Sequence, residues 1–250
     1  MVKSILLKRL APVLFWLLVW QTASLLIGKE LLLPSPLRVF ARLGSMITQG
    51  TYWKTVLYSV LRTAEAYLTG ITAGCLLAML CRLNTWADRL IRPALTVIRA
   101  TPVASFIILL LVWLSSSGVP AAAGMLMVIP VVFVSVREGL ENVDRNLIEM
   151  AECFRFGKLR IWTRIMLPSV FPAFIAACET CVGLCFKATI AAEVIGVPRN
   201  AIGSMLHSAK VYLETDTLLA WTVTVILLSM IFEKLLKGLL ERSLKHVHHA

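Results

Sequence analysis

The sequence predicts an all-α integral membrane protein, and three observations carry that prediction. Of its 250 residues 58% are hydrophobic and 16% charged, and the mean hydropathy is +0.82, far from the balance of a soluble domain. Six stretches approach the ~20 apolar residues that a helix needs to cross a bilayer. The short alternating runs of a membrane barrel are missing from the sequence.

The six stretches are Ala11 to Ile27, Thr55 to Leu80, Leu95 to Leu114, Val119 to Val136, Phe171 to Ile195 and Leu218 to Leu235. The first follows Lys3, Lys8 and Arg9, as a secretory signal would. Its apolar part is too long for a signal core and no A-x-A site follows, so it reads as a retained span. Leu33-Pro34-Ser35-Pro36 then breaks the helix, because each proline disfavours the α region at the residue before it. From Leu37 to Gln49, the apolar Leu37, Phe40, Ala41, Leu43 and Ile47 oppose Arg38 and Arg42, which predicts an amphipathic helix on the outer surface.

The second span carries Gly70 and Gly74, four apart, where another helix can approach closely. It also carries Arg62 and Glu65, three apart on one face, which predicts an internal ion pair. Thr101-Pro102 and Pro130 predict kinks in the third and fourth spans. No repeat or linker divides the chain, so residues 1–250 read as one membrane domain.

A net charge of +11 would suggest nucleic acid in a soluble protein, but here the placement of the bases matters more than their sum. With both termini cytoplasmic, the inner segments hold 16 of the 25 Lys and Arg residues and the outer segments only six. That bias favours this orientation over its inverse and makes nucleic-acid binding unnecessary.

The longest inner segment, about 144–167, is basic and amphipathic. Leu147, Met150, Ala151 and Phe154 recur at helical spacing, Asp144 can cap the helix start, and Gly157 can end it. A second helical stretch with Leu159, Ile161, Trp162 and Ile165 climbs to Leu167-Pro168, where the fifth span begins. Periodicity alone leaves two uses open: a contact with a cytoplasmic partner, or a basic surface on anionic lipid.

Glu149-Met150-Ala151, followed by Leu167-Pro168 and Pro172, resembles the E-A-A motif of permease subunits in binding-protein-dependent ABC importers. Leu33-Pro34-Ser35-Pro36, the segment Arg99 to Phe106, and Lys187 to Gly196 extend the resemblance to the branch that imports nitrate, sulfonates, taurine and related compounds, thiamine precursors among them. The resemblance implies a type I importer permease fold in which the motif forms a coupling helix. Glu149, Ala151, Phe154, Gly157, Leu167 and Pro168 would then dock on a cytoplasmic ATPase. It further implies a second permease copy, two ATPase subunits that bind ATP and Mg, an extracytoplasmic binding protein, and a place in the bacterial plasma membrane. The chain has no G-x-x-x-x-G-K-[ST] of its own. It departs from the motif at Arg155, where the family usually has glycine.

Glu179, Lys187 and Glu193 lie in the fifth span, where charge usually faces protein or water. In one reading they line the translocation pathway, with Lys187 attracting an anion; in the other, Lys187 pairs internally with Glu193 or Glu179. Cys178-Glu-Thr-Cys181 matches C-x-x-C spacing but has no second pair, and it reads as core. His207 reads as a surface residue, and His246, His248 and His249 as a solvated tail, so neither cofactor nor metal is expected on this chain. An ATP-independent secondary transporter or channel is the alternative, but it would need an internal repeat that the sequence lacks. An enzyme is disfavoured because the spans contain neither His nor Asp.

Overall fold

Helix formation follows the apolar runs closely. In the computed structural model, which describes the backbone of residues 2–248 and the side chains of residues 11–238, all regular structure among the described residues is helical. The tail histidines His246, His248 and His249 lie outside the described side chains. In chain order the elements are α1 (Val2–Ile27), α2 (Pro36–Ile47), α3 (Gly50–Leu83), α4 (Thr85–Ala100), α5 (Val103–Trp113), α6 (Val119–Glu141) and α7 (Arg145–Cys153). There follow α8 (Lys158–Ile161), a π turn (Trp162–Met166), α9 (Leu167–Gly196), α10 (Ile202–Val211) and α11 (Thr215–His248). Four segments are long and apolar enough to cross a membrane: Gly50–Leu83, Val119–Glu141, Lys158–Gly196 and Thr215–Gly238. The bent pair α4–α5 supplies a fifth, and Ala11–Ile27 is a shorter apolar helix.

The core lies among α3, α6 and α9, where Tyr67, Val128, Val132, Phe133, Cys181 and Cys185 are buried together. Gly70 and Gly74 explain how close α3 and α6 come. A Cβ on Gly70 would lie 2.6 Å from Val128 Cβ, and one on Gly74 2.9 Å from Val132 Cβ, so only glycine fits at this crossing. Tyr67 Oη donates to the Cys178 carbonyl at 3.0 Å and ties α3 to α9. Cys178 and Cys181 are both buried in this core, where they act as small apolar side chains.

The third span is the main departure from a bundle of straight helices. It splits at Thr101-Pro102 into α4 and α5, which meet at 111°. The cause is local: proline excludes the α region at the residue before it, and Thr101 is extended with ψ 132°. The 11 residues of α5 span about 16 Å, too short to cross the ~30 Å hydrocarbon core alone. Pro130, by contrast, lies inside an unbroken α6.

Helix α2 forms as expected, with a different face inward. Val39, Leu43 and Met46 are buried, near Trp221 of α11, while Leu37, Phe40 and Ile47 are exposed. The spacing i, i+4, i+7 through Val39 makes the narrower stripe, and packing against α11 selects it. Arg42 fixes the docking by donating to Thr217 Oγ1 at 3.0 Å.

Candidate functional site

Two regions concentrate the chemistry that the fold itself does not require: the segment around α7, and the charged residues of α9. Helix α7 begins as expected, with Asp144 accepting from the Asn146 N–H at 2.9 Å. Its end differs. Arg155 N–H donates to the Glu152 carbonyl at 2.8 Å and Phe156 N–H to the Ala151 carbonyl at 2.9 Å, a Schellman pair. That motif needs a left-handed residue, and Arg155 supplies it at φ 54°. Gly157 does not end the helix: it is extended and precedes α8 as its cap.

The arginine therefore stands in the left-handed position where glycine would be expected. Ala151 has 0% exposure and seats α7 on the rest of the chain, whereas Phe154 is 70% exposed. Leu147, Met150, Phe156 and Leu159 are exposed beside it, forming an apolar row of the kind that marks an interaction surface. Glu149 is exposed and, among the described residues, paired with Arg145 alone, at 3.6 Å, a loose surface contact.

After the turn at Arg155 and Gly157, the chain enters the membrane as one helical run. The run from Lys158 to Gly196 is continuous, with the π turn immediately before Leu167 and Pro168. Pro168 cannot donate to the carbonyl one turn back, and the wider π turn accommodates the ring without breaking the helix. Leu167 lines an apolar crevice of about 240 Å³ with Cys75, Met79, Trp162 and Phe171.

At the same end of the bundle, Arg137 of α6 joins two elements. It pairs with Asp88 of α4 at 2.8 Å and with Glu141 of its own helix at 2.8 Å, four residues before α7 begins. Asp88 also meets Arg92 at 3.3 Å.

The charges of α9 divide. Glu193, with 0% exposure, accepts from Ser59 Oγ at 2.8 Å, from Arg62 at 3.2 Å and from the Gly203 N–H at 3.1 Å. Ser59 Oγ in turn accepts from the Ile202 N–H at 2.9 Å. Arg62 donates further to the carbonyls of Arg199 and Asn200. This network locks α3, α9 and the start of α10 together, with Glu193 as its buried anchor at the α10 end. It also corrects the expected partner of Arg62, which is Glu193 and not Glu65. A Cβ on Gly203 would lie 2.4 Å from Glu193 Cβ, so glycine is required where α10 meets this latch.

Lys187 pairs with neither Glu193 nor Glu179; it is exposed and, among the described residues, in no ion pair. Glu179 is half-buried, two turns below it on α9.

Sequence reasoning missed Ser59, Asp88, Arg137 and Glu233, the last sharing a cavity with Lys187. Two local signals were available: Asp88 precedes Arg92 by four residues, and Ser59 shares a helix face with Arg62.

The described residues form a bundle of apolar helices with an amphipathic segment at one end, the architecture of a multi-pass membrane component. The chain belongs to the family described as the binding-protein-dependent transport system inner membrane component, whose model matches residues 70–246. It is 27% identical over 204 residues to the putative aliphatic sulfonates transport permease protein SsuC of Escherichia coli, covering 79% of this chain and 76% of that one. It is 22% identical over 232 residues to the taurine transport system permease protein TauC of the same organism, covering 89% and 83%. The formylaminopyrimidine transport permease protein ThiX of Halalkalibacterium halodurans is 23% identical over 193 residues, covering 76% and 77%.

Among solved structures, a chain of an amino acid ABC transporter superposes with TM-score 0.62 at 17% identity, covering 74% of this chain and 91% of that one. A chain of the inward-facing MetNI methionine ABC transporter gives 0.55 at 16%, covering 81% and 96%. The fold is that of ABC importer permeases, and the chain is a multi-pass inner-membrane permease subunit.

Proposed function

We propose that this permease forms the translocation pathway for a small organic anion or related polar solute, with α7 as its coupling helix. The support for the cargo is the likeness to permeases named for aliphatic sulfonates and taurine. The observation that carries the coupling role is the arrangement of α7: Ala151 seated on the chain, Leu147, Met150 and Phe154 turned outward, and Glu149 beside them. An apolar row of this kind at a membrane protein's polar end marks a contact surface. A cytoplasmic ATPase is its partner in this reading. Its ATP and Mg stay on the partner, and this chain binds neither.

In this arrangement the α7 end faces the cytoplasm, both termini lie there, and the end carrying α2 and α10 receives substrate from a binding protein. Two copies of the permease enclose the pathway above two ATPase subunits. Movement enters at Glu149, Met150 and Phe154, crosses the turn at Arg155 and Gly157, and reaches α9 through Leu167 and Pro168. The continuous rod from Lys158 to Gly196 makes that path short and stiff.

The test is to purify the permease with its ATPase in proteoliposomes and add binding protein loaded with candidate sulfonates. ATP hydrolysis is expected to rise with the loaded binding protein, and uptake to require ATP. Hydrolysis indifferent to the loaded binding protein, or uptake without nucleotide, would overturn the reading.

A further inference from the structure

Helix α4 carries three stripes, and the chain covers one of them. Ile91, Leu95 and Ile98, spaced for one helix face, pack into the core beside α3 and α6. A second stripe, Trp86, Leu90, Pro93, Ala94 and Val97, faces away, with Trp86 70% exposed, Leu90 73% and Val97 62%. Next to it runs a third, Arg89, Arg92 and Arg99, all exposed. Arg92 pairs with Asp88 at 3.3 Å, whereas among the described residues Arg89 and Arg99 are in no ion pair. Arg89 lies over the Trp86 ring instead, 5.5 Å from its centre.

The helix starts where two spans end. Those spans are α3, which finishes at Leu83, and α6, which finishes at Glu141, and Asp88 ties the start of α4 to Arg137 of α6 at 2.8 Å. From there α4 is turned 111° away from α5. An apolar stripe flanked by arginines, on a helix at the end of the spans, is the pattern of a helix that lies in the membrane surface. Indole and guanidinium both suit that boundary, because each joins an apolar body to a polar tip.

The neighbouring acids do not cancel the basic stripe. Asp88 is held by Arg92 and Arg137, and Glu141, across the groove between α4 and α6, is held by Arg137. Glu138 is the one carboxylate of that groove outside an ion pair, set against two such arginines on α4. A second copy docked here about a two-fold axis would bring the same arginines together. A phospholipid meets both stripes at once, and an anionic one leaves its phosphate uncompensated for the arginines. We propose that α4 is an in-plane helix that selects anionic phospholipid on the α7 side of the membrane, its apolar stripe on the acyl chains and Arg89 and Arg99 on the headgroup phosphates. The site depends neither on the cargo nor on the role of α7.

The test places the permease in phosphatidylcholine vesicles holding a fixed fraction of one brominated lipid, either phosphatidylglycerol or phosphatidylcholine. Bromine quenches an indole that it touches, and the Trp86 signal is the difference between each protein and its Trp86→Phe counterpart. Both lipids are expected to quench Trp86. Brominated phosphatidylglycerol should do so roughly fivefold more readily, the advantage that one base has at an anionic surface. Arg89→Gln combined with Arg99→Gln should bring the two lipids level. Arg89→Lys combined with Arg99→Lys should keep the preference, because the charge remains. All four substitutions alter exposed side chains, so Tm is expected to stay at the wild-type value.

If neither lipid quenches Trp86, protein covers the stripe and the proposal fails. If the two lipids quench the wild type equally, α4 touches lipid without selecting charge, and the proposal fails equally. No ATPase, binding protein or solute enters the measurement, so its failure is distinguishable from failure of the importer reading.

Discussion

Arg155 holds a left-handed backbone at φ 54° with a side chain that makes this conformation unfavourable. The position costs an L-residue about 1–2 kcal/mol, while glycine there gives back roughly 0.5–1 kcal/mol in backbone entropy. Arg155→Gly is therefore expected to stabilise the purified permease by up to about 1 kcal/mol. A rise in Tm would register it, and Arg155→Val should lower Tm, since branching at Cβ worsens the same clash. A second residue-scale test concerns the latch at the α10 end. Glu193 is fully buried and Arg62 only 15% exposed, so Arg62→Leu strands a buried carboxylate and is expected to cost about 3 kcal/mol. Adding Glu193→Gln to Arg62→Leu should recover part of that loss, because the amide oxygen can still accept from Ser59 and Gly203. Thermal unfolding in detergent of the single and double variants measures both. The two charges were visible in the sequence, but their partnership was not: 131 residues separate them, and Glu65, only three away from Arg62, was the obvious local alternative.

Helices were the most legible level, because long apolar runs leave the backbone no way to satisfy its polar groups in lipid except by forming helix. The close approach of α3 and α6 was also legible, from Gly70 and Gly74. The 111° bend between α4 and α5 was half legible: Thr101-Pro102 marked the break, while the angle depends on what α4 meets. One thing it meets is Arg137. The guanidinium joins Asp88 of α4 to Glu141 at the end of α6, four residues before α7, at 2.8 Å each, and ties the broken span to the end of α6 from which the proposed coupling helix continues. Arg137→Met removes that link without touching α7 itself. The expected outcome is uptake lowered roughly tenfold with ATP hydrolysis largely retained. The charge exchange Arg137→Asp with Asp88→Arg should restore part of the uptake. Equal losses of hydrolysis and uptake would mean that the link serves only assembly.

Over the whole molecule, the two ends differ in how their polar ends are finished. At the α10 end Arg62, Glu193 and Ser59 satisfy one another inside the chain, and α2 is stapled to α11 through Arg42 and Thr217. At the α7 end the chain leaves Leu147, Met150, Phe154 and Leu159 uncovered. A surface left open in this way predicts a separation of effects. Phe154→Asp alters a side chain that is 70% exposed and seats nothing, so the permease alone should keep its Tm. Its ATPase should dissociate at least about 30-fold more readily, the loss expected when an interface anchor worth 2 kcal/mol is replaced by a charge. Ala151→Leu should act in a different order, because Ala151 is fully buried on the inner face of α7: Tm falls first, by overpacking, and ATPase binding falls as a consequence. Co-purification of the ATPase, measured beside the Tm of each variant alone, separates the two. If Phe154→Asp lowers Tm as Ala151→Leu does, the exposed row belongs to the permease's own packing and the coupling role moves elsewhere on the segment.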